Sequence, residues 1–115
     1  MSASGIIGRK QPISMGEWLA YASETSALVR PADREVYNPF RRATEVRTAP
    51  VGEYLVMDNG AEVGTIEPSP EFDEGGELDV YARPESYEHV RSVAETIARS
   101  LGAQLEWLND VDPQG

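Results

Sequence analysis

A protein that does chemistry shows it first in a few residue types: a nucleophile beside a base, carboxylates in unlike environments, or metal ligands at fixed spacing. This 115-residue chain has no cysteine and one histidine. Thiol catalysis, disulfides, Cys-ligated zinc and iron–sulfur clusters are therefore excluded, as is any site needing two imidazoles from one chain. The histidine, His89, falls just off the apolar stripe of a helical segment. No serine in a G-x-S-x-G turn offers it a nucleophile, and it is expected on the outward side of its helix. Asp and Glu together number 20, so some pair within reach arises by chance. A glycosidase-like pair also needs a cleft that drives two pKa values apart, and these acids fall on loops and outward strand positions.

Metal and phosphate motifs are equally incomplete. Asp73-Glu74-Gly75-Gly76-Glu77-Leu78-Asp79 is acidic and glycine-containing but misses the EF-hand spacing. It reads as a solvated turn, with a weak calcium site over 73–79 as the alternative. Asp110-Val111-Asp112 is too short for a cage. Gly5-Ile6-Ile7-Gly8 followed by Arg9-Lys10 lacks both a preceding strand and the G-K-[ST] ending of a phosphate loop. The expectation is no enzyme, no catalytic residue, no metal and no cofactor.

Charge is the more informative signal. The chain carries 10 Lys and Arg against its 20 acids, a formal net charge of −10. Such a balance opposes direct nucleic-acid binding, which needs a basic face for phosphates. The charge is unevenly spread: residues 1–50 sum to +2 and residues 51–115 to −12. Arg30, Arg34, Arg41, Arg42 and Arg47 are interleaved with Tyr37 and Phe40, whereas the six acids from Glu67 to Asp79 have no basic residue among them. Either the arginine segment folds onto the acidic part and neutralises it, or an acidic face stays open for a basic partner.

The elements that would position these residues follow from periodicity. Residues 1–12 are small or polar and are expected as a flexible arm. Ser14-Met15-Gly16-Glu17 has the form of a capping box, with Ile13 and Trp18 as its hydrophobic staple, and opens a short helix. Residues 30–43 break both helical and strand periods and are expected as a packed loop or single turn. Strands follow at Thr44–Thr48, Glu53–Met57, Glu62–Ile66 and Glu77–Tyr81. Asn59-Gly60 sets a type I′ hairpin turn that pairs Met57 with Glu62, Val56 with Val63 and Tyr54 with Thr65. Val90, Val93, Ala94, Ile97, Ala98 and Leu101 make the apolar stripe of a long amphipathic helix over 85–101. A closing strand occupies 103–108, and 109–115 is a polar tail. The expected fold is one α+β domain over 13–108. In it, an antiparallel β-meander plus closing strand is packed by one long C-terminal helix, with a short N-terminal helix beside it.

The opening Ile13-Ser14-x-x-Glu17-Trp18-x-x-Tyr21 and the ending Leu101-Gly102-Ala103-x-Leu105 resemble small acidic bacterial proteins of the immunity type. That resemblance implies a non-enzymatic domain that covers a basic surface of another protein, and it assigns no residue a role. The residues expected to meet a partner are Glu71, Asp73, Glu74, Glu77 and Asp79 for steering, and Tyr37, Arg41 and Arg42 for contact. Tyr81 and Trp107 are further candidate anchors. A structural homodimer joined at an edge strand and an acidic mimic of nucleic acid are the rival classes. No apolar run approaches the ~18 residues of a membrane helix, and Met1 to Pro12 lacks the apolar core of a secretory signal. The expected location is cytoplasmic, without membrane contact.

Overall fold

The structure is a computed structural model that describes residues 3–109. The fold is α+β, and its first strand corrects the reading of 1–12 as a flexible arm: β1 (Ala3–Gly8) is an internal strand. It pairs antiparallel with β10 (Gln104–Asn109) on one side and with β9 (Leu78–Ala82) on the other. The small residues that looked like a loose arm are small because this strand is crowded. A Cβ at Gly5 would sit 2.7 Å from the Trp107 ring, closer than van der Waals contact permits. The expected polar tail over 110–115 lies outside the described residues, while Asn109 belongs to β10.

The first helix, α1 (Met15–Glu24), follows the short strand β2 (Ile13–Ser14) and begins as the capping box dictates. The Glu17 amide donates to the Ser14 hydroxyl at 3.1 Å, and the Ser14 amide donates to the Glu17 carboxylate at 3.3 Å. Trp18 is fully buried; its indole N–H donates to the Gly52 carbonyl at 2.8 Å and its ring meets Tyr54 edge-on at 5.6 Å. The later elements are β3 (Leu28–Val29), β4 (Arg34–Asn38), β5 (Ala43–Arg47), β6 (Tyr54–Asp58), β7 (Ala61–Pro68) and β8 (Gly75–Gly76), with β9 after them. A 3-10 turn (Pro84–Ser86) then leads into α2 (Tyr87–Ser100) and β10.

Six strands form one antiparallel sheet in the order β10-β1-β9-β7-β6-β3. The meander is present as β6-β7-β9, and β1 is inserted between it and the closing strand. Both helices lie on the same face. Val90, Ala94, Ile97 and Ala98 of α2 and Trp18 and Ala22 of α1 bury themselves against Ala3, Ile7, Leu28, Tyr54, Val56, Ile66, Leu78 and Val80. Side chains alternate along a strand, so the intervening positions form a second face with no helix over it among the described residues.

Two further corrections concern pairing. The Asn59-Gly60 turn forms with both residues at positive φ, 52° and 81°. Beyond Met57–Glu62, however, a bulge between Val56 and Met57 shifts the register by one. Val56 then faces Gly64 and Tyr54 faces Ile66, instead of Val63 and Thr65. The shift moves Ile66 to the helix face, where it is fully buried, and leaves Thr65 outside. The second correction is larger. Residues 30–43 are not a packed loop: β4 and β5 form a separate two-stranded hairpin with register Arg34–Arg47, Glu35–Val46, Val36–Glu45, Tyr37–Thr44 and Asn38–Ala43. The two prolines that broke the pattern flank this hairpin and its turn, and do not interrupt its strands.

Candidate functional site

The open face of the sheet is the most unusual surface of the molecule. Register places Asp79 and Tyr81 of β9 directly opposite Glu67 and Thr65 of β7. Ile6 of β1 lies opposite both Asp79 and Glu106, and Leu55 of β6 lies opposite Thr65 and Val29. Tyr81 is 44% exposed, and Val29 is also exposed. The six strands of this sheet contain no Lys or Arg, so no cation within them offsets the carboxylates.

The carboxyl groups register that imbalance. Glu67 is held above the ordinary carboxyl range by partial burial and then by the negative charges of Glu53 and Asp79. Asp79 is likewise raised by burial, against which a hydrogen bond from the Tyr81 hydroxyl works in the opposite direction. Tyr81 itself is raised, first by burial and then by the charges of Asp79 and Glu67. Like charges directly opposed across an antiparallel pair are destabilising, and here they sit beside a half-exposed ring.

The expected steering acids divide between two places. Asp79 belongs to the open face, half-buried. Glu71, Asp73 and Glu74 are exposed on the loop that continues from the same end of the β7–β9 pair, and Glu77 is exposed beside Gly8. That loop is closed by the Ser69 amide donating to the Glu77 carbonyl at 3.0 Å, and Phe72 packs its ring against the core as a foot. Glu67 and Glu53 complete the acidic surface. Sequence reasoning counted Glu67 among the loop acids, and it missed Glu53 because only the β6–β7 register brings it near.

The contact residues Tyr37, Arg41 and Arg42 all lie on the β4–β5 hairpin and are exposed. Phe40, read as part of a packed segment, is 96% exposed at the hairpin turn. The Asn38 side chain holds that turn by accepting from the Phe40 amide at 2.9 Å, and Arg42 adopts a left-handed conformation with φ 53°. Among the described residues, the arginines of this segment do not reach the acids of 67–79. Arg41 pairs with Glu45 on the same hairpin. Arg30 donates to the carbonyls of Ala49, Pro50 and Glu53 and lies 5.6 Å over the Tyr54 ring. The side chains of Arg34 and Arg47 lie outside the described residues.

His89 is half-buried rather than outward: its Nε2 lies 3.0 Å from the Met57 carbonyl, tying α2 to β6. The cavity beside it, about 140 Å³, is lined by Tyr21, Thr25, Ala27, Ser92, Val93, Thr96 and Ile97, without a carboxylate. A larger, shallow groove of about 580 Å³ runs between α2 and β10 past Arg91, Arg99 and Trp107. Trp107 is half-buried against the core, so it is not an exposed anchor, and its indole N–H has no partner among the described residues. Among the described residues no group of three metal-ligating side chains comes together, including over 73–79, and no helix is long and apolar enough to cross a membrane.

No family model matches the chain, and comparison with curated proteins and with solved structures finds no similar relative.

Proposed function

We propose that the chain is a non-enzymatic protein-binding domain of the inhibitor or immunity kind, which receives a basic segment of a partner on the open face of its large sheet. The observation that carries this reading is the Glu67–Asp79 cross-strand pair beside the half-exposed Tyr81, on a sheet without a single Lys or Arg. Two opposed carboxylates repel in the free protein. A guanidinium seated between them turns that repulsion into a pair of charge-assisted hydrogen bonds. Tyr81, Ile6 and Leu55 supply the apolar contact that a purely electrostatic encounter lacks. Glu71, Asp73 and Glu74 sit at the rim, where exposed charge raises the association rate more than it raises affinity.

The test uses the immobilised chain and a lysate of the source cells, with a Tyr81→Ala, Glu67→Gln, Asp79→Asn variant as the matched surface. The wild type is expected to retain a protein that rising salt releases and that the variant fails to retain, while circular dichroism shows both folded. Equal retention on the two surfaces, or retention on neither, overturns the reading.

A further inference from the structure

The hairpin is the other half of a complementary pair. It forms hydrogen bonds between its own two strands, and among the described residues neither strand packs substantially on the body of the domain. Residues 34–47 carry four arginines against Glu35 and Glu45, a local charge of +2 in a chain of −10. One face of the hairpin presents Tyr37, 61% exposed, beside an exposed Val46, and its turn presents Phe40 almost wholly to solvent. An isolated two-stranded ribbon gains little from its own contacts, and a fully exposed aromatic flanked by Arg41 and Arg42 costs solubility with no return inside the monomer. At the hairpin's base Arg30 links the entering and leaving strands through three backbone carbonyls, so the ribbon projects from a fixed root.

We infer that the open sheet face of one copy of this chain receives the 34–47 hairpin of a second copy, reciprocally, in a two-fold dimer. The inference rests on the reading of that face as a docking surface for a basic segment, and it names the occupant. Complementarity argues for it on both counts: Arg41 and Arg42 meet Glu67, Asp79 and Glu53, and Phe40 and Tyr37 meet Tyr81, Ile6 and Leu55. A chain with a net charge of −10 repels its own copies over most of its surface. A contact that sets the basic hairpin against the acidic face offsets that repulsion locally. A two-fold dimer makes this contact twice, because each copy contributes both a hairpin and a face. One association event is thereby held by two docked ribbons, each burying its own surface.

The experiment is sedimentation of the full chain over a range of concentrations at low and high salt, with three variants. The wild type is expected to dimerise, less tightly at high salt. Phe40→Ala should weaken the dimer by about tenfold to a hundredfold, as removal of a central aromatic does, while leaving the circular dichroism spectrum unchanged and, at concentrations where both chains are monomeric, the melting curve in place. Arg41→Glu with Arg42→Glu, and separately Glu67→Lys with Asp79→Lys, should each give monomers. Mixed together, the two charge-reversed chains should form a heterodimer, because each hairpin then meets a face of opposite sign. A wild type that stays monomeric at the highest concentration overturns the inference. So does a dimer that persists in every variant, which would place the interface elsewhere, such as the free edge of β10. Neither result touches the lysate experiment, in which the open face fails or stands on its own capture.

Discussion

Along β9 the residues alternate Leu78, Asp79, Val80, Tyr81, Ala82, and the two sets lead different lives. Leu78, Val80 and Ala82 point under the helices among fully buried neighbours, whereas Asp79 and Tyr81 point to the side that no element among the described residues covers. The same contrast holds across the sheet: Ile66 is buried and Glu67 is half-exposed, and Val56 is buried while Leu55 is half-exposed. On the covered face, packing determines which residues are tolerated. On the open face apolar side chains are interspersed with carboxylates that repel one another, an arrangement that folding alone does not reward.

The largest test of this contrast substitutes one aromatic from each side. Trp18→Ala removes a fully buried ring, its edge-on contact with Tyr54 and the hydrogen bond to Gly52, and is expected to cost about 3–5 kcal/mol. Tyr81→Ala on the open face should cost about 1 kcal/mol or less, since much of the ring is already in water. Chemical denaturation of the two variants decides the matter. If Tyr81→Ala proves as damaging as Trp18→Ala, the open face is part of the core and the comparison collapses.

Next in size is the helix start on the covered side. Ser14→Ala deprives the Glu17 amide of its acceptor and should cost about 1 kcal/mol. Glu17 has a second tie: the Arg9 guanidinium, reaching across from the end of β1, bonds its carboxylate and also donates to the Leu101 carbonyl at 2.6 Å. Arg9 first, and then the Ser14 amide, hold the Glu17 carboxyl below its ordinary value of 4.5. Its contribution is therefore present above the unfolded value and is lost as pH falls through the lower folded one. A Ser14→Ala variant whose thermal midpoint matches the wild type would show that this network bears no part of the helix.

How much of this was legible in the residues depends on the range of the interaction that decides each element. The capping box at Ser14, the Asn59-Gly60 turn and the stripe from Val90 to Leu101 are local signals, and all three stand in the structure. What failed was decided by distant partners. Nothing within Ala3–Gly8 announces a strand; Trp107, about a hundred residues away in sequence, explains why Gly5 must be small. The bulge at Val56 lets both Val63 and Ile66 enter the core, which strict alternation along β7 would forbid, so it is settled by packing against the helices. The hairpin over 34–47 was hidden because Pro31, Asn38 and Pro39 break the strand period while Val36, Tyr37 and Phe40 suggest burial, and a ribbon that exposes Tyr37 and Phe40 violates the pattern on which such readings rest. For the site, the residue types were visible but their grouping was not: Glu67, Asp79 and Glu53 are separated in sequence and joined by register alone.

The smallest expected effect has the opposite sign and discriminates most finely between the two faces. Glu67→Gln keeps the shape of the side chain and removes one of the two opposed charges. Because the folded protein raises the Glu67 carboxyl above 4.5, by burial and by Glu53 and Asp79, the folded state binds its proton more tightly than the unfolded chain does. The wild type is thus penalised wherever Glu67 is ionised, and the penalty disappears as acid protonates it. The variant should be more stable than the wild type at neutral pH by about 0.5 kcal/mol or less, a figure kept small by solvent screening of a partly exposed pair. That advantage should shrink as pH falls through the raised folded value and vanish below 4.5. Glu17→Gln should behave in reverse, losing stability at neutral pH and converging on the wild type in acid. Denaturation midpoints for both variants across the acid range read the two signs directly. A residue whose removal stabilises the isolated domain has a use other than holding it together, and a destabilising Glu67→Gln would remove that reason for looking outside the monomer.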